Sequence, residues 1–465
     1  MTLPKPSPDW RLYRFSSLLV AGVFLALAGF APRYSQAQTP TQITFDEAVR
    51  IALEQNVSLM RSANTVELDA INLSRQRSAF LPDLSMNANA SQNYGRNFST
   101  EVLDFVDQTT NRMNASASSR VTLFDGFGRV SAYRQAQRNL EASDFDFERQ
   151  RQTVVFNVMS SYLNLLERRE QILIQQENLE SQRQQLVQIE EFTNVGSRPI
   201  SDLYQQQAAT ANAELTLINA ERAYQLGEVG LMQVLQLDPF GAYAFVAPEV
   251  TDALLMPQQY EVPVMLQEAF GQRLDLKARE NDIIAAREGI RAARSGFFPS
   301  LSLAANTSSN YDDQSTFSFS DQFTDIRRSS SIGLNLSIPI FDRFETSNFI
   351  QQARVQYDNS RLVLEDLQQN IALDVRQAYL DYVTTEKRLD VTEKQEIAAQ
   401  QALTAEQERY NVGAATLVEL SQARANFVQA ASDRTQARFD FLFQKKLIDY
   451  YMGRLNPTEP LFQQP

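Results

Sequence analysis

The stretch "SIGLNLSIPIFDRFET", residues 331–346, decides the fold. Its apolar residues fall on every second position, at Ile332, Leu334, Leu336, Ile338 and Ile340. That period gives a strand with one apolar and one polar face. At Phe341-Asp342 the alternation stops. Beyond it Val375, Tyr382, Leu389, Leu403 and Tyr410 recur at multiples of seven, with Glu396 the only charged member of the series. A seven-residue repeat is the seam of a coiled coil. A helix over 345–411 spans roughly 100 Å at about 1.5 Å per residue. Much of the rest is Gln, Ala, Asn, Glu and Arg, too polar for the centre of a globular core. Such a helix is wet on a broad face, as in a coiled coil or the wall of a water-filled tube.

The same arrangement occurs 217 positions earlier, the separation of Asp342 from Asp125. "LFDGF" (123–127) lies over "IFDRF" (340–344), and "SAFLPDLSM" (78–86) over "SGFFPSLSL" (295–303). "NVGSRPISDL" (194–203) lies over "NVGAATLVEL" (411–420). One offset serves every pair, so the chain duplicates one large unit, with repeats at 44–237 and 264–452. Residues 239–263, with Pro239, Pro248, Pro257 and Pro263, read as a linker, and 453–465 as a C-terminal tail. Each unit reads as helix, two strands, long helix, turn and helix. The opening helix, 44–79, starts at Thr44 with Glu47 as a capping box and ends before Pro82. Pro299 does the same in the second unit. Strands are expected at about 83–97 and 111–124, then 300–311 and 327–341, with outer loops around 94–112 and 311–327. Asp125 and Asp342 stand where they can cap the long helices, 128–194 and 345–411.

The chain has 465 residues, 43% hydrophobic and 21% charged, which is not the composition of a disordered chain. It has no Cys and no His, which removes thiolate and imidazole metal sites, Cys nucleophiles and His-based triads. Acid pairs such as Glu190 and Glu191 lie on polar helix faces without a pocket signal. The chain therefore does not read as an enzyme, and no cofactor is expected. A net charge of −13 argues against nucleic-acid binding, which needs a basic footprint. Near the start, Lys5, Arg11 and Arg14 precede the apolar run Ser16–Phe30, and "SQA" follows at 35–37. These are the parts of a secretory signal peptide, residues 1–37. A membrane anchor is the alternative, but the run is short for one. No later stretch approaches the ~20 apolar residues of a membrane-spanning helix.

Each chain thus supplies four strands of about ten residues, the length of a transmembrane β-strand. A soluble hairpin packed on helices would show the same alternation. In lipid, however, four strands cannot close, since bacterial barrels begin at about 8. An open edge there leaves backbone groups unpaired. Several chains must then complete one barrel, and the attached helices continue it as a tube. The doubled order of "FLP" or "FFP", paired strands, "FD" and "NVG" resembles the TolC-type outer-membrane efflux family over about 44–452. The resemblance implies an α+β membrane protein built from an internal duplication. A homotrimer would form a 12-stranded β-barrel in outer-membrane lipid, four strands from each chain. A long periplasmic α-helical coiled-coil barrel would continue it. The implied function is the exit channel of a tripartite efflux or type I secretion system for drugs or proteins. Its implied partners are a periplasmic adaptor protein and an inner-membrane pump of the ABC or RND type.

The resemblance also assigns residues. It places adaptor contacts at the helix tips, on Val195, Gly196, Val412 and Gly413. Glu419, which lies over Asp202, matches the first acid of the family's periplasmic aperture motif. The second acid falls on Gln422, which leaves a weaker ring. Tyr410 and Asp202 match a Tyr–Asp link that holds the gate closed. The arginine of that link falls on Ala415, and Arg198, the counterpart of Ala415, is the candidate substitute. The rival reading is an exported coiled-coil scaffold without transport activity. It explains the heptads and turns, but not why a strand pair interrupts each repeat at the same place.

Overall fold

The computed structural model describes residues 41–99, 103–246 and 252–456. The expected signal peptide lies outside the described residues. In chain order the elements are β1 (Thr41–Ile43), α1 (Phe45–Gln55), α2 (Val57–Ser78), β2 (Ser85–Ser99), β3 (Asp104–Phe124), α3 (Gly128–Asn194) and α4 (Ile200–Leu235). Then come β4 (Tyr243–Phe245), α5 (Val262–Gln272), α6 (Leu274–Arg294), β5 (Ser300–Asp312), α7 (Phe319–Asp321), β6 (Arg328–Ser337), α8 (Glu345–Asn411) and α9 (Leu417–Tyr451). Among the described residues no helix is long and apolar enough to cross a membrane.

The opening helix is two helices, not one. Asn56 turns the chain at ψ 119°, and its Oδ1 accepts from the N–H groups of Ser58 (3.0 Å) and Leu59 (3.2 Å). Asparagine is among the strongest N-caps, and here it restarts the helix. Arg273, its counterpart in the second repeat, takes the same extended conformation between α5 and α6. The break therefore belongs to the duplicated unit.

β2, β3, β5 and β6 form one antiparallel sheet in that order. Directly paired residues share a face, so rows can be read across it. One row is Val121–Leu303–Leu334, with Leu301–Leu336 and Met86–Ala117 on the same face. The other face carries Asn89–Asn114–Asn310 and Asn87–Ser116–Ser308–Ser329. The polar rows are joined by side chains, such as Ser308 to Ser329 at 2.9 Å and Ser85 to Ser118 at 2.8 Å. Met86, Ile332, Leu334 and Leu336 are left exposed, uncovered by any other of the described residues. β6 ends at Ser337, short of the expected 341, because Pro339 has no N–H to donate to a ladder, so Ile338 and Ile340 continue the alternation beyond the paired strand. Aromatic pairs stand at the lower border of the apolar face, Phe124–Phe127 and, at the equivalent place in the second repeat, Phe341–Phe344. The first hairpin is longer than the expected loop 94–112 allows, because β2 and β3 stay paired up to Ser99↔Asp104. Polar residues do not end a ladder whose faces are both wet, and that segment has no Pro.

The long helices pack in a lateral layer. α6 lies between α3 and α8, and α9 also packs on both. Their counterparts α2 and α4 pack on α3 but have no packed α8 on the other side. Exposure records the difference. Leu68 of α2 is 66% exposed, whereas its counterpart Ala285 is 2%. Leu380 of α8 is 53% exposed, whereas its counterpart Leu163 is 2%. The surface that joins repeat one to repeat two inside the chain is thus repeated, uncovered, at the chain's two flanks.

Residues 239–263 are more than a linker. β4 pairs in parallel with β1, Thr41↔Tyr243 to Ile43↔Phe245. The buried Tyr162 hydroxyl lies within hydrogen-bond distance of the Ile43 and Val246 carbonyls. The main core gathers here, from Val158, Tyr162 and Leu165 of α3, Leu231 and Leu235 of α4, and Phe439 and Leu442 of α9. It fixes the helical layer part-way along its length.

At the strand-to-helix corners the Asp125 Oδ2 accepts from the Arg129 N–H (3.1 Å), and the Asp342 Oδ2 from the Thr346 N–H (2.9 Å). Pro82 and Pro299 each precede a strand, after the helix before it has ended. Two successive residues are left-handed at each corner, Gly126-Phe127 and Arg343-Phe344. A Cβ on Gly126 would sit 2.6 Å from the Phe298 Cβ and 2.9 Å from the Ser295 carbonyl oxygen. The first corner thus needs glycine for space and for φ, while the second carries a strained Arg343 (φ 56°). We expect Gly126→Ala to lower the midpoint of thermal unfolding and Arg343→Gly to raise stability by about 1 kcal/mol. Equal shifts of the same sign for both variants would contradict this account of the corners.

Candidate functional site at the helix tips

Both long helices end in the same way. The N–H groups of Val195, Gly196 and Ser197 donate to the carbonyls of Glu191, Thr193 and Phe192, at 3.2, 3.0 and 2.9 Å. Those of Val412, Gly413 and Ala414 donate to Glu408, Tyr410 and Arg409, at 3.2, 3.1 and 2.7 Å. Each bond in the first tip has its counterpart in the second. Gly196 (φ 75°) and Gly413 (φ 80°) are the left-handed residues that stop the helices. A Cβ at either would meet nothing within 4 Å. Val195 and Val412 beside them are 77% and 78% exposed. The tips are blunt, open ends, each presenting one valine and one glycine.

Behind them lies a small apolar core of Ile189, Tyr410, Ala415, Leu417 and Leu420. Tyr410 is buried at the end of α8, and its hydroxyl has no hydrogen-bond partner. The expected link from Tyr410 to Asp202 is not formed. Arg198 takes that place, with its guanidinium 4.4 Å from the centre of the Tyr410 ring and Nη2 donating to the Tyr410 carbonyl at 3.3 Å. The flat guanidinium covers the ring face while its N–H reaches the backbone, so the phenol end stays in apolar packing. Burial pushes the Tyr410 phenol above its ordinary value, with the Arg198 charge opposing and Asp202 adding to it. Arg198 precedes α4 and Tyr410 ends α8, so this contact ties one tip of the chain to the other.

Glu419 is held by its own helix. Its Oε2 accepts from the Thr416 N–H (2.7 Å) and hydroxyl (3.1 Å), and the Thr416 Oγ1 accepts from the Glu419 N–H (3.2 Å). This is a capping box, whose Thr-x-x-Glu signature at 416–419 was legible in the sequence and not among the expectations. The Thr416 hydrogen bonds hold the carboxyl below its ordinary 4.5. The box is therefore intact above that range and weakens as pH falls through the lowered value. In the first repeat Pro199 replaces Thr416, and Asp202 caps nothing. Glu419 and Gln422 line one open groove between α8 and α9, with Ala399, Ala402, Glu406 and Asn426. Among the described residues no group of three or more Asp and Glu could hold a metal ion.

A strand sheet with a bare apolar face, continued by helices of 67 residues, is the architecture of an outer-membrane channel. The family model described as outer membrane efflux protein matches residues 48–235 and 265–443, and the chain belongs to that family. It is 24% identical to the outer membrane protein TolC of Escherichia coli over 449 residues, covering 96% of this chain and 88% of TolC. It is 26% identical to the pyoverdine export outer membrane protein OpmQ of Pseudomonas aeruginosa over 372 residues, covering 77% and 74%. The crystal structure of VceC from Vibrio cholerae superposes with a TM-score of 0.76 at 16% identity, covering 88% of this chain and 96% of VceC. The protein is an outer-membrane exit channel of the efflux and type I secretion class, with its helical part in the periplasm.

Because the Tyr410 hydroxyl is unpartnered, Tyr410→Phe is expected to be neutral or stabilising by up to about 1 kcal/mol. Arg198→Ala is expected to cost about 0.5–1 kcal/mol through the lost ring contact. Denaturant unfolding of the two variants checks both. A Tyr410→Phe loss larger than that of Arg198→Ala would mean that the hydroxyl carries a bond.

Proposed function

We propose that three copies of this chain close into one tube. The observation that carries this reading is the sheet with two unpaired edges, β2 and β6, above helices whose flanking surfaces repeat an internal interface. Three sheets of four strands make a 12-stranded barrel, within the range of bacterial barrels. The periplasmic adaptor docks on the exposed tips at Val195, Gly196, Val412 and Gly413, and an inner-membrane pump of the ABC or RND type supplies the energy. Cargo passes through without chemical change.

The aperture is set by Glu419, Gln422 and Asp202, with Arg198 on Tyr410 holding the two tips of each chain together. Opening costs that contact, on the order of 1 kcal/mol per chain. An adaptor that binds the parted tips more tightly offsets it, as a population shift requires. Gln422 in place of an acid leaves Glu419 as the one carboxylate of the pair, and Gln in a capping box keeps the same geometry. Glu419→Gln thus tests charge alone.

Purified protein in planar bilayers is expected to give discrete conductance steps, a weaker cation preference for Glu419→Gln, and a higher open probability for Arg198→Ala. A detergent-free soluble rod with no conductance would favour the scaffold reading. At the tips, Gly196→Asn with Gly413→Asn keeps a residue that tolerates the left-handed conformation and adds a side chain in open space. We expect normal conductance but lost export in cells. Undiminished export would remove the tips from the docking surface.

A further inference from the structure

We propose that a half-open cavity between α3, α8 and α9 binds a small organic carboxylate through Arg424. The cavity holds about 250 Å³. Its apolar wall is Ile174, Leu403, Phe427 and Val428, and Arg424 and Asn178 stand among them. Arg424 is only 8% exposed, although a guanidinium carries five N–H donors. Among the described residues its one side-chain hydrogen-bond partner is the Gln407 Oε1, at 3.3 Å from Nη2. No carboxylate of the described residues forms a salt bridge with it. Glu396, on the same wall, is engaged by Arg434 at 2.7 Å, and Glu177 is solvent-exposed. Burial pushes the Arg424 pKa down with no acid opposing it. The Asn178 Oδ1 is likewise buried without a partner.

A buried cation without an acid is costly, and chains rarely carry one without compensation. The duplication sharpens the point. The counterpart of Arg424 is Gln207, and that of Asn178 is Gln395, so the repeated fold does not require the charge. A carboxylate in the cavity accepts two parallel bonds from the guanidinium. Turned about its last bond, the Asn178 amide donates to the same group. The apolar body of the acid then lies on Phe427, Leu403 and Val428. At about 30 Å³ per water the space equals on the order of eight waters, below the usual range of drug-sized pockets. The ligand is therefore a single-ring or short-chain acid. The site lies within one chain, so the proposal stands apart from the channel reading.

The test is isothermal titration of the full-length protein in detergent with 4-methylbenzoate, and with the neutral 4-methylbenzamide as control. We expect saturable binding of one acid per chain, at least tenfold tighter than the amide. Arg424→Gln, the residue of the first repeat, should abolish that preference. Ala431→Leu, which fills the cavity and keeps the arginine, should weaken binding of the acid at least tenfold. Equal binding of acid and amide, no binding of the acid, or undiminished binding to Ala431→Leu would each overturn the proposal, the last even if Arg424→Gln failed to fold.

Discussion

Lipid offers no water to an unpaired amide, and this is the constraint on which the architecture depends. Among the described residues β2 and β6 each leave one edge unpaired, and the face they share with β3 and β5 is bare at Met86, Ile332, Leu334 and Leu336. In water such a sheet invites aggregation through its edges. In a membrane it persists only when further copies pair with those edges. Closure in turn sets the lateral order of the helices, because each long helix leaves its strand across a corner of two left-handed residues.

The duplication supplies the means of closure without a new interface. α6 and α9 bridge α3 and α8 inside the chain, and α2 and α4 present the same half-interface outward. The internal joint is thus a template for the joint between chains. At the membrane corner the two repeats meet closely, with Gly126 against Phe298 and Gly128 against Ser295. At the far end the repeats have diverged. Thr416 and Glu419 cap α9, while Pro199 and Asp202 start α4 without a cap, and Arg198 lies on Tyr410. In the proposed trimer, near-sixfold regularity would serve the walls, and its loss at the tips would leave room for an aperture of lower symmetry.

Much of this was legible in the residues. Alternation at 332–340, heptads at 375–410 and one constant offset carried the strands, the helices and the need for more than one chain. What was missed has physical causes. The break at Asn56 is a single side chain capping a helix inside a continuous helical pattern. The β1–β4 pair joins three-residue segments some 200 positions apart, too short for any period to register. The end of the first hairpin mixes Tyr94, Phe98 and Phe105 with charged and polar residues on one face, so it carries no clear alternation. At the tips, the glycines were readable from the turn, and the Glu419 box from Thr416. Arg198 was the candidate at the Tyr410 link, but its lying on the ring while the hydroxyl stays unpartnered was not readable, because a resemblance names counterparts and not how a side chain reaches them.

The central claim is that the joint inside the chain is repeated between chains. A Cβ at Gly128 would stand 3.0 Å from the Ser295 Cβ. Glu345 is the counterpart of Gly128, and Ser78 that of Ser295. At the joint between chains, the same contact therefore becomes Glu345 of one chain against Ser78 of its neighbour. The natural sequence has no Cys, so Glu345→Cys with Ser78→Cys introduces the only thiols. On mild oxidation the double variant should run as a covalent trimer on denaturing gels, reversed by reductant, while each single variant runs as a monomer. A double variant that stays monomeric after oxidation, in protein that still forms channels, would contradict the account.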